Sequence, residues 1–347
     1  MYMFRSRKSS LAKRLWKARI KKEHETGSEA KIEKPNSENI LRTNVLRRLK
    51  ENQLEMLVTA VESGGSELST CVLLPKDVVE DPHVRCCQTW RWPEIRQPCE
   101  LKQLPMCETT KDPVYICCNP YHWSRLCKPE SPPPPYCRFA RDRLKPEDRA
   151  PSESSCFGVN HQLELRGSLT TNGEGESCSR EWCKLAYWEL SNRVGRQYGV
   201  ETSSVNVFWD IPHGDGLCLA TLATHSFSPP EAVERARKKI GRGLTLSLEE
   251  DGVWAYNRSD SPMFVNSPAL DDPDSRSLLV YRVPSGHCLK VFIPGAPTRH
   301  WDPHPPTGPI DPNSVRISFA KGWGPKYSRQ EVTACPTWLE VLLAPCR

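Results

Sequence analysis

Pro132 to Pro135 are four prolines in a row, and they divide this chain before its fold can be considered further. Each proline fixes φ and withholds an N–H, so the run is an extended polyproline II rod that neither a helix nor a sheet can absorb. Further prolines at 129, 146 and 151 surround it, and Thr170-Thr171-Asn172-Gly173-Glu174-Gly175 closes the stretch. Such a composition packs no core. Residues 129–180 are therefore a linker, and the 347-residue chain must build separate cores on either side of it. The rod also ends on tyrosine. Pro133-Pro134-Pro135-Tyr136 is a PPxY pattern, whose prolines lie in an aromatic groove of a WW domain while the tyrosine ring fills the adjacent slot. A plain spacer is the bland alternative for a lone proline run. The terminal tyrosine and the Cys- and Trp-bearing flanks favour docking through Pro133, Pro134 and Tyr136.

Charge is unevenly spread. Residues 1–22 carry nine Lys/Arg and no acid, although the whole chain is only +6. Residues 1–35 read as a basic, disordered and solvated arm, even though Leu11, Leu15 and Trp16 share one helical stripe. The sixteen cysteines would suit a disulfide scaffold in a secreted protein. No apolar export core opens the chain, however, and no run of eighteen apolar residues exists, so membrane insertion is not expected. The cysteines should then be thiols or metal ligands, in a protein of cytoplasm and nucleus. The triplet Asn257-Arg258-Ser259 carries no glycosylation meaning there.

Between the arm and the rod, residues 36–128 read as a first domain. Leu41 to Glu62 repeats apolar residues at helical spacing and stops at Gly64-Gly65, and Cys71 to Pro75 reads as a strand. Cys71, Cys107, Cys117 and His122 offer three thiolates and an imidazole, the last three spaced C-x9-C-x4-H. Soft sulfur plus one nitrogen closes a tetrahedral zinc site with no open position, which makes it structural rather than catalytic. Cys86, Cys87, Cys99, Cys118 and Cys127 compete for the same role.

Trp90-Arg91-Trp92-Pro93-Glu94-Ile95 and Cys117-Cys118-Asn119-Pro120-Tyr121-His122 resemble the N-terminal Mad-homology domain of the SMAD family. The resemblance implies an α+β fold holding one zinc ion on Cys71, Cys107, Cys117 and His122. It also implies a hairpin, between the first ligand and the Trp-Arg-Trp-Pro run, that reads the DNA major groove. In this chain Lys76 to Thr89 fills that interval and brings Asp77, Glu80 and Asp81 into it. Lost cations remove phosphate contacts, which argues against specific DNA recognition.

Beyond the linker, residues 181–347 are strand-rich. Trp182–Trp188, Val205–Trp209, Gly243–Leu248, Val253–Tyr256 and Val315–Phe319 are short runs between turn residues, a spacing that predicts a β-sandwich. Glu231–Ile240 reads as a basic helix, and residues 293–313 as a loop with seven prolines. Val315 to Gly324, followed by Cys335-Pro336-Thr337-Trp338-Leu339-Glu340, resembles the C-terminal Mad-homology domain, a β-sandwich with flanking helices and loops.

The proline-tyrosine element is similar to that of the inhibitory SMADs, where it recruits WW-domain ubiquitin ligases of the HECT class. That resemblance further implies a basic groove for activated type I receptors of the TGF-β/BMP family, here Arg235, Lys239, Lys321 and Arg329. Receptor-activated members end in a phosphorylated Ser-x-Ser tail, whereas Leu339 to Arg347 contain no serine. The expectation is an antagonist of signalling with no enzymatic activity. It would bind receptors and other SMADs and bring in ligases. A DNA-associated corepressor, acting in the nucleus with transcriptional partners, is the alternative. No nucleotide loop, nucleophile elbow or metalloprotease helix is present to support an enzyme.

Overall fold

The computed structural model describes residues 2–20, 45–65, 70–76, 81–127, 181–210, 215–225, 229–270, 279–293 and 314–343. The PPxY element therefore lies outside the described residues, as does the proline-rich loop after Ile293.

Helix α1, Tyr2–Lys17, packs on α2, Glu51–Glu62. Leu11 and Leu15 are buried with Leu49, Leu54 and Leu57 in one apolar cluster, which Trp90 joins from α3, Pro82–Trp90. The Trp90 indole N–H donates to the Leu15 carbonyl at 3.0 Å, and the Ile20 amide to Thr89 at 3.1 Å. Arginines of α1 reach acids of α2: Arg7 meets Glu51 and Glu55, and Arg14 grips Glu62 at 2.8 and 3.0 Å. Composition put residues 1–35 in a disordered arm. Over 2–17 the apolar stripe wins instead, because α2 offers both a groove for the leucines and carboxylates for the cations.

The single helix expected from Leu41 to Glu62 is interrupted. Residues 45–48 are helical, but Lys50 is extended (φ −72°, ψ 164°) and its amide donates to the Gln53 side chain at 2.8 Å, restarting the helix. The described residues of the domain add four short strands: β1 Leu73–Pro75, β2 Leu101–Gln103, β3 Tyr115–Cys117 and β4 Trp123–Leu126, with β1 antiparallel to β3 and β2 to β4. Within the interval assigned to a DNA-reading hairpin, Pro82 to Thr89 belong to helix α3.

The second domain is a sandwich. Strands β5 Cys183–Glu189, β6 Asn192–Val200, β7 Ser204–Phe208 and β8 Gly216–Cys218 precede the short helix α4, Leu219–Leu222, and then α5, Glu231–Ile240. Then follow β9 Leu244–Glu249, β10 Gly252–Asn257, β11 Met263–Asn266, β12 Tyr281–Val283, β13 His287–Phe292, β14 Val315–Phe319 and β15 Trp338–Leu343. One sheet runs β12-β11-β14-β15-β5-β6, and facing residues of both sheets, such as Leu185, Tyr187, Leu246, Val265 and Ile317, form the main core. Strand β5 is buried on both faces. Leu185 and Tyr187 enter the main core, while Ala186 and Trp188 enter a second cluster with Trp323 and Trp338 under the 320–336 loop. Trp188 and Trp338 stack with centroids 5.1 Å apart.

The two domains share a sheet. Its order is β2-β4-β13-β10-β9-β7-β8, so strands of the first domain extend a sheet of the second. Strand β4 runs parallel to β13 through Arg125↔His287 and Leu126↔Cys288. The amides of Arg125 and Cys127 donate to Gly286 and Cys288 at 3.0 and 2.8 Å. Lys102 bridges to Glu249 at 2.6 Å and lies over the Trp254 ring.

Candidate functional site

The lead-in to β1, the turn after β2, the end of β3 and the short helical turn that follows it bring Cys71, Cys107, Cys117 and His122 together, with all four ligand atoms within 4.8 Å of one another. The β1–β3 register places Cys117 opposite Leu73, two residues after Cys71. Asn119 then shapes the loop: its side chain accepts from the Tyr121 amide at 3.0 Å and donates to the Thr70 carbonyl at 3.3 Å, tying the His122 turn to the Cys71 strand. The Leu104 amide donates to the His122 carbonyl at 2.9 Å, which brings in the Cys107 turn.

Three of the six edges have the lengths a bound cation would give. Cys71 Sγ lies 3.6 Å from Cys107 Sγ and 3.4 Å from His122 Nδ1, and Cys117 Sγ lies 3.5 Å from the same nitrogen. A tetrahedral zinc with Zn–S about 2.3 Å and Zn–N about 2.05 Å gives S···S edges of about 3.8 Å and S···N edges of about 3.6 Å. Gln103 donates from Nε2 to Cys107 Sγ at 3.0 Å, a contact that favours thiolate. Cys107 is held far below the ordinary thiol range by Cys117 and Cys71, whereas Cys107 in turn pushes Cys117 far up. Burial lowers His122, but Cys107 and Cys71 more than offset it and raise it to about 9. A divalent cation binds thiolates and a neutral imidazole, so its binding would release protons from this cluster. The competing cysteines go elsewhere. Cys86 and Cys118 lie as free thiols in the helical core, Cys87 is buried beneath Pro120, Cys99 is exposed, and Cys127 faces the Arg282 carbonyl.

Arg235 and Lys239 lie on α5, and Lys321 and Arg329 on the loop after β14. Helix α5 is fastened by Arg237, which makes a 2.7 and 2.8 Å fork with Glu189 while Tyr187 donates to the same carboxylate at 2.9 Å. This leaves Arg235 outside, 67% exposed and 3.4 Å from Glu231. The turn 258–262 joins the two carriers: the Ser259 hydroxyl donates to the Lys239 carbonyl at 2.9 Å, and the Ala320 amide donates to the Pro262 carbonyl at 3.0 Å. On the loop, Ser318 Oγ donates to the Lys321 carbonyl at 2.6 Å, and the Gly324 amide to the Arg329 carbonyl at 2.7 Å, over the buried Trp323. Lys239 and the Lys321 loop thus share one support, while Arg235 stands a turn earlier on the helix. Asn257 is buried and bonds Ser261 and Val283 carbonyls, so the triplet beginning there shapes this turn. Sequence reasoning missed the tethering role of Glu189, which lies 48 residues from Arg237 with no spacing to announce it.

Among the described residues no helix is long and apolar enough to cross a membrane. The MH2 domain family matches residues 180–344, and the MH1 domain family residues 39–127. Mothers against decapentaplegic homolog 6 of Gallus gallus is 46% identical over 86% of this chain and 73% of its own length. Mothers against decapentaplegic homolog 7 of Homo sapiens is 40% identical over 86% of this chain and 76% of its own. Dwarfin sma-3 of Caenorhabditis elegans is 30% identical over 76% and 72%.

Proposed function

Because the chain belongs to the inhibitory branch of the SMAD family, with its MH1 and MH2 domains, we propose that it restrains TGF-β/BMP signalling by occupying activated type I receptors. Proteins of this family regulate signalling and transcription and are not enzymes. What supports the receptor reading is that the backbone at Lys239 and the loop carrying Lys321 and Arg329 rest on one turn, with Arg235 exposed on the same helix, a set we read as one cationic ridge. Such cations suit a phosphorylated Ser/Thr segment, since each phosphate adds nearly two negative charges and accepts paired hydrogen bonds. Occupied receptors would not reach receptor-regulated SMADs. Co-precipitation with a phosphorylated type I receptor kinase domain tests this: Lys239→Glu with Lys321→Glu should abolish capture in a protein that circular dichroism shows to be folded. Capture by the double variant at the parental level rejects the ridge.

Pro133, Pro134 and Tyr136 supply the second arm of the proposal, recruitment of a WW-domain HECT ligase. A tethered ligase acts at high effective concentration, so a weak contact is enough. Tyr136→Ala should abolish binding to an isolated WW domain in a titration; unchanged affinity removes the rod from the scheme.

One zinc ion held by Cys71, Cys107, Cys117 and His122 would stiffen the MH1 domain without taking part in chemistry. Action in cytoplasm and nucleus, with other SMADs as partners, completes the proposal.

A further inference from the structure

Where the two domains meet, they line a half-open cavity of about 300 Å³. Its charged lining is cationic. Arg91 follows α3 in the first domain, while Arg242 follows α5 and Arg258 follows β10 in the second. Asp260 is the single carboxylate among the lining residues; it approaches Arg242 at 3.6 Å with its side chain 96% exposed.

The other partners of these guanidiniums are neutral. Arg91 donates from Nη1 to the carbonyls of Pro120 and Trp123 at 3.0 and 2.7 Å, and lies 4.0 Å over Trp92 and 4.9 Å over Tyr121. Arg242 donates to the Gly65 carbonyl across the joint. Arg258 has the poorest partner, the Met106 sulfur at 3.8 Å, a weak acceptor. Burial, then repulsion from Arg91 and Arg242, pulls the Arg258 guanidinium down to about 9, and burial lowers Arg91 to about 10. Clustered, partly buried cations with one exposed acid cost free energy unless an anion joins them.

We propose that this interdomain cavity binds a small molecule carrying clustered phosphate groups, such as an inositol polyphosphate, held by Arg91, Arg242 and Arg258. The guanidinium fork matches phosphate oxygens in pairs, and the cavity has the size of a small-ligand site. Three cations suit several phosphates better than one. Since the arginines come from both domains, the ligand also clamps the joint between them.

Calorimetric titration of the full chain at constant ionic strength tests the site. The probes are inositol hexakisphosphate, pyrophosphate and vesicles with or without phosphatidylinositol 4,5-bisphosphate. Saturable binding of the soluble polyphosphates is expected, weakened about tenfold to a hundredfold in Arg258→Met. The same variant without ligand should melt no lower than the parent, because it loses an uncompensated cation. Arg242→Gln provides a second variant that keeps a donor for Gly65. Binding confined to the phosphoinositide vesicles, and lost in both variants, keeps the site but identifies a lipid headgroup as the phosphate source. No binding of any probe, or equal binding by parent and both variants, overturns the proposal.

Discussion

His83 shows how one side chain carries a cost that its surroundings set. Its ring is 3% exposed and stacks on Trp123 with centroids 4.5 Å apart, while Nδ1 has no partner among the described residues. Burial lowers it to about 4; Asp81 raises it by a smaller amount and Lys76 lowers it slightly further. Its folded value lies below its unfolded one, so the unfolded state binds the proton first. Its stabilising share is full above about pH 6.5, falls as pH drops toward 4, and then levels off. The loss is on the order of 3 kcal/mol at about 1.4 kcal/mol per pH unit. Acid titration of thermal stability should show this slope, and His83→Phe should flatten it. Glu189 gives a second case at this scale. It is 8% exposed and forks with Arg237, so Glu189→Gln should cost roughly 3–5 kcal/mol and loosen α5, as read by denaturant unfolding. The candidate metal cluster was legible in sequence because three of its members, Cys107, Cys117 and His122, fall within sixteen residues. The Glu189–Arg237 pair was not, because nothing local marks it.

Among the elements, α1 departs furthest from its composition. Nine cations in the first 22 residues suggested solvation, yet Leu15 is 1% exposed and two acids of α2 take up Arg7. Leu15→Ala should destabilise the MH1 domain by about 3 kcal/mol, the cost of a buried leucine cavity. Arg14→Ala should cost under about 1 kcal/mol, since that pair is about half exposed. A urea melt of both variants checks the contrast; equal costs would mean that charge rather than burial docks the helix. The stripe of Leu11 and Leu15 was visible in the sequence, but its partner on α2 was not. The strands of the sandwich were legible where apolar runs met turn residues, as at Val315–Phe319. Short strands such as β8 and β12, three residues each, carry too little pattern to be read.

At the scale of the molecule, the proline rod announced two domains, and the motifs around Trp90 and Trp323 announced their type. The sheet they share was hidden. A two-residue parallel pairing between β4 and β13, 162 residues apart at Arg125 and His287, leaves no local signature. Gly286 closes that joint at φ +72°, where a side chain would collide with the Arg91 guanidinium and press on Trp92. Gly286→Val should therefore part the domains and enlarge the radius of gyration in solution scattering; an unchanged radius would contradict the shared sheet. The central claim remains occupation of the receptor. It is tested most directly by phosphorylation of a receptor-regulated SMAD by an activated type I receptor kinase, with this protein titrated in. Dose-dependent inhibition by the parent chain and none by Lys239→Glu with Lys321→Glu is the predicted result. Equal inhibition by both proteins, or none by either, would contradict the account.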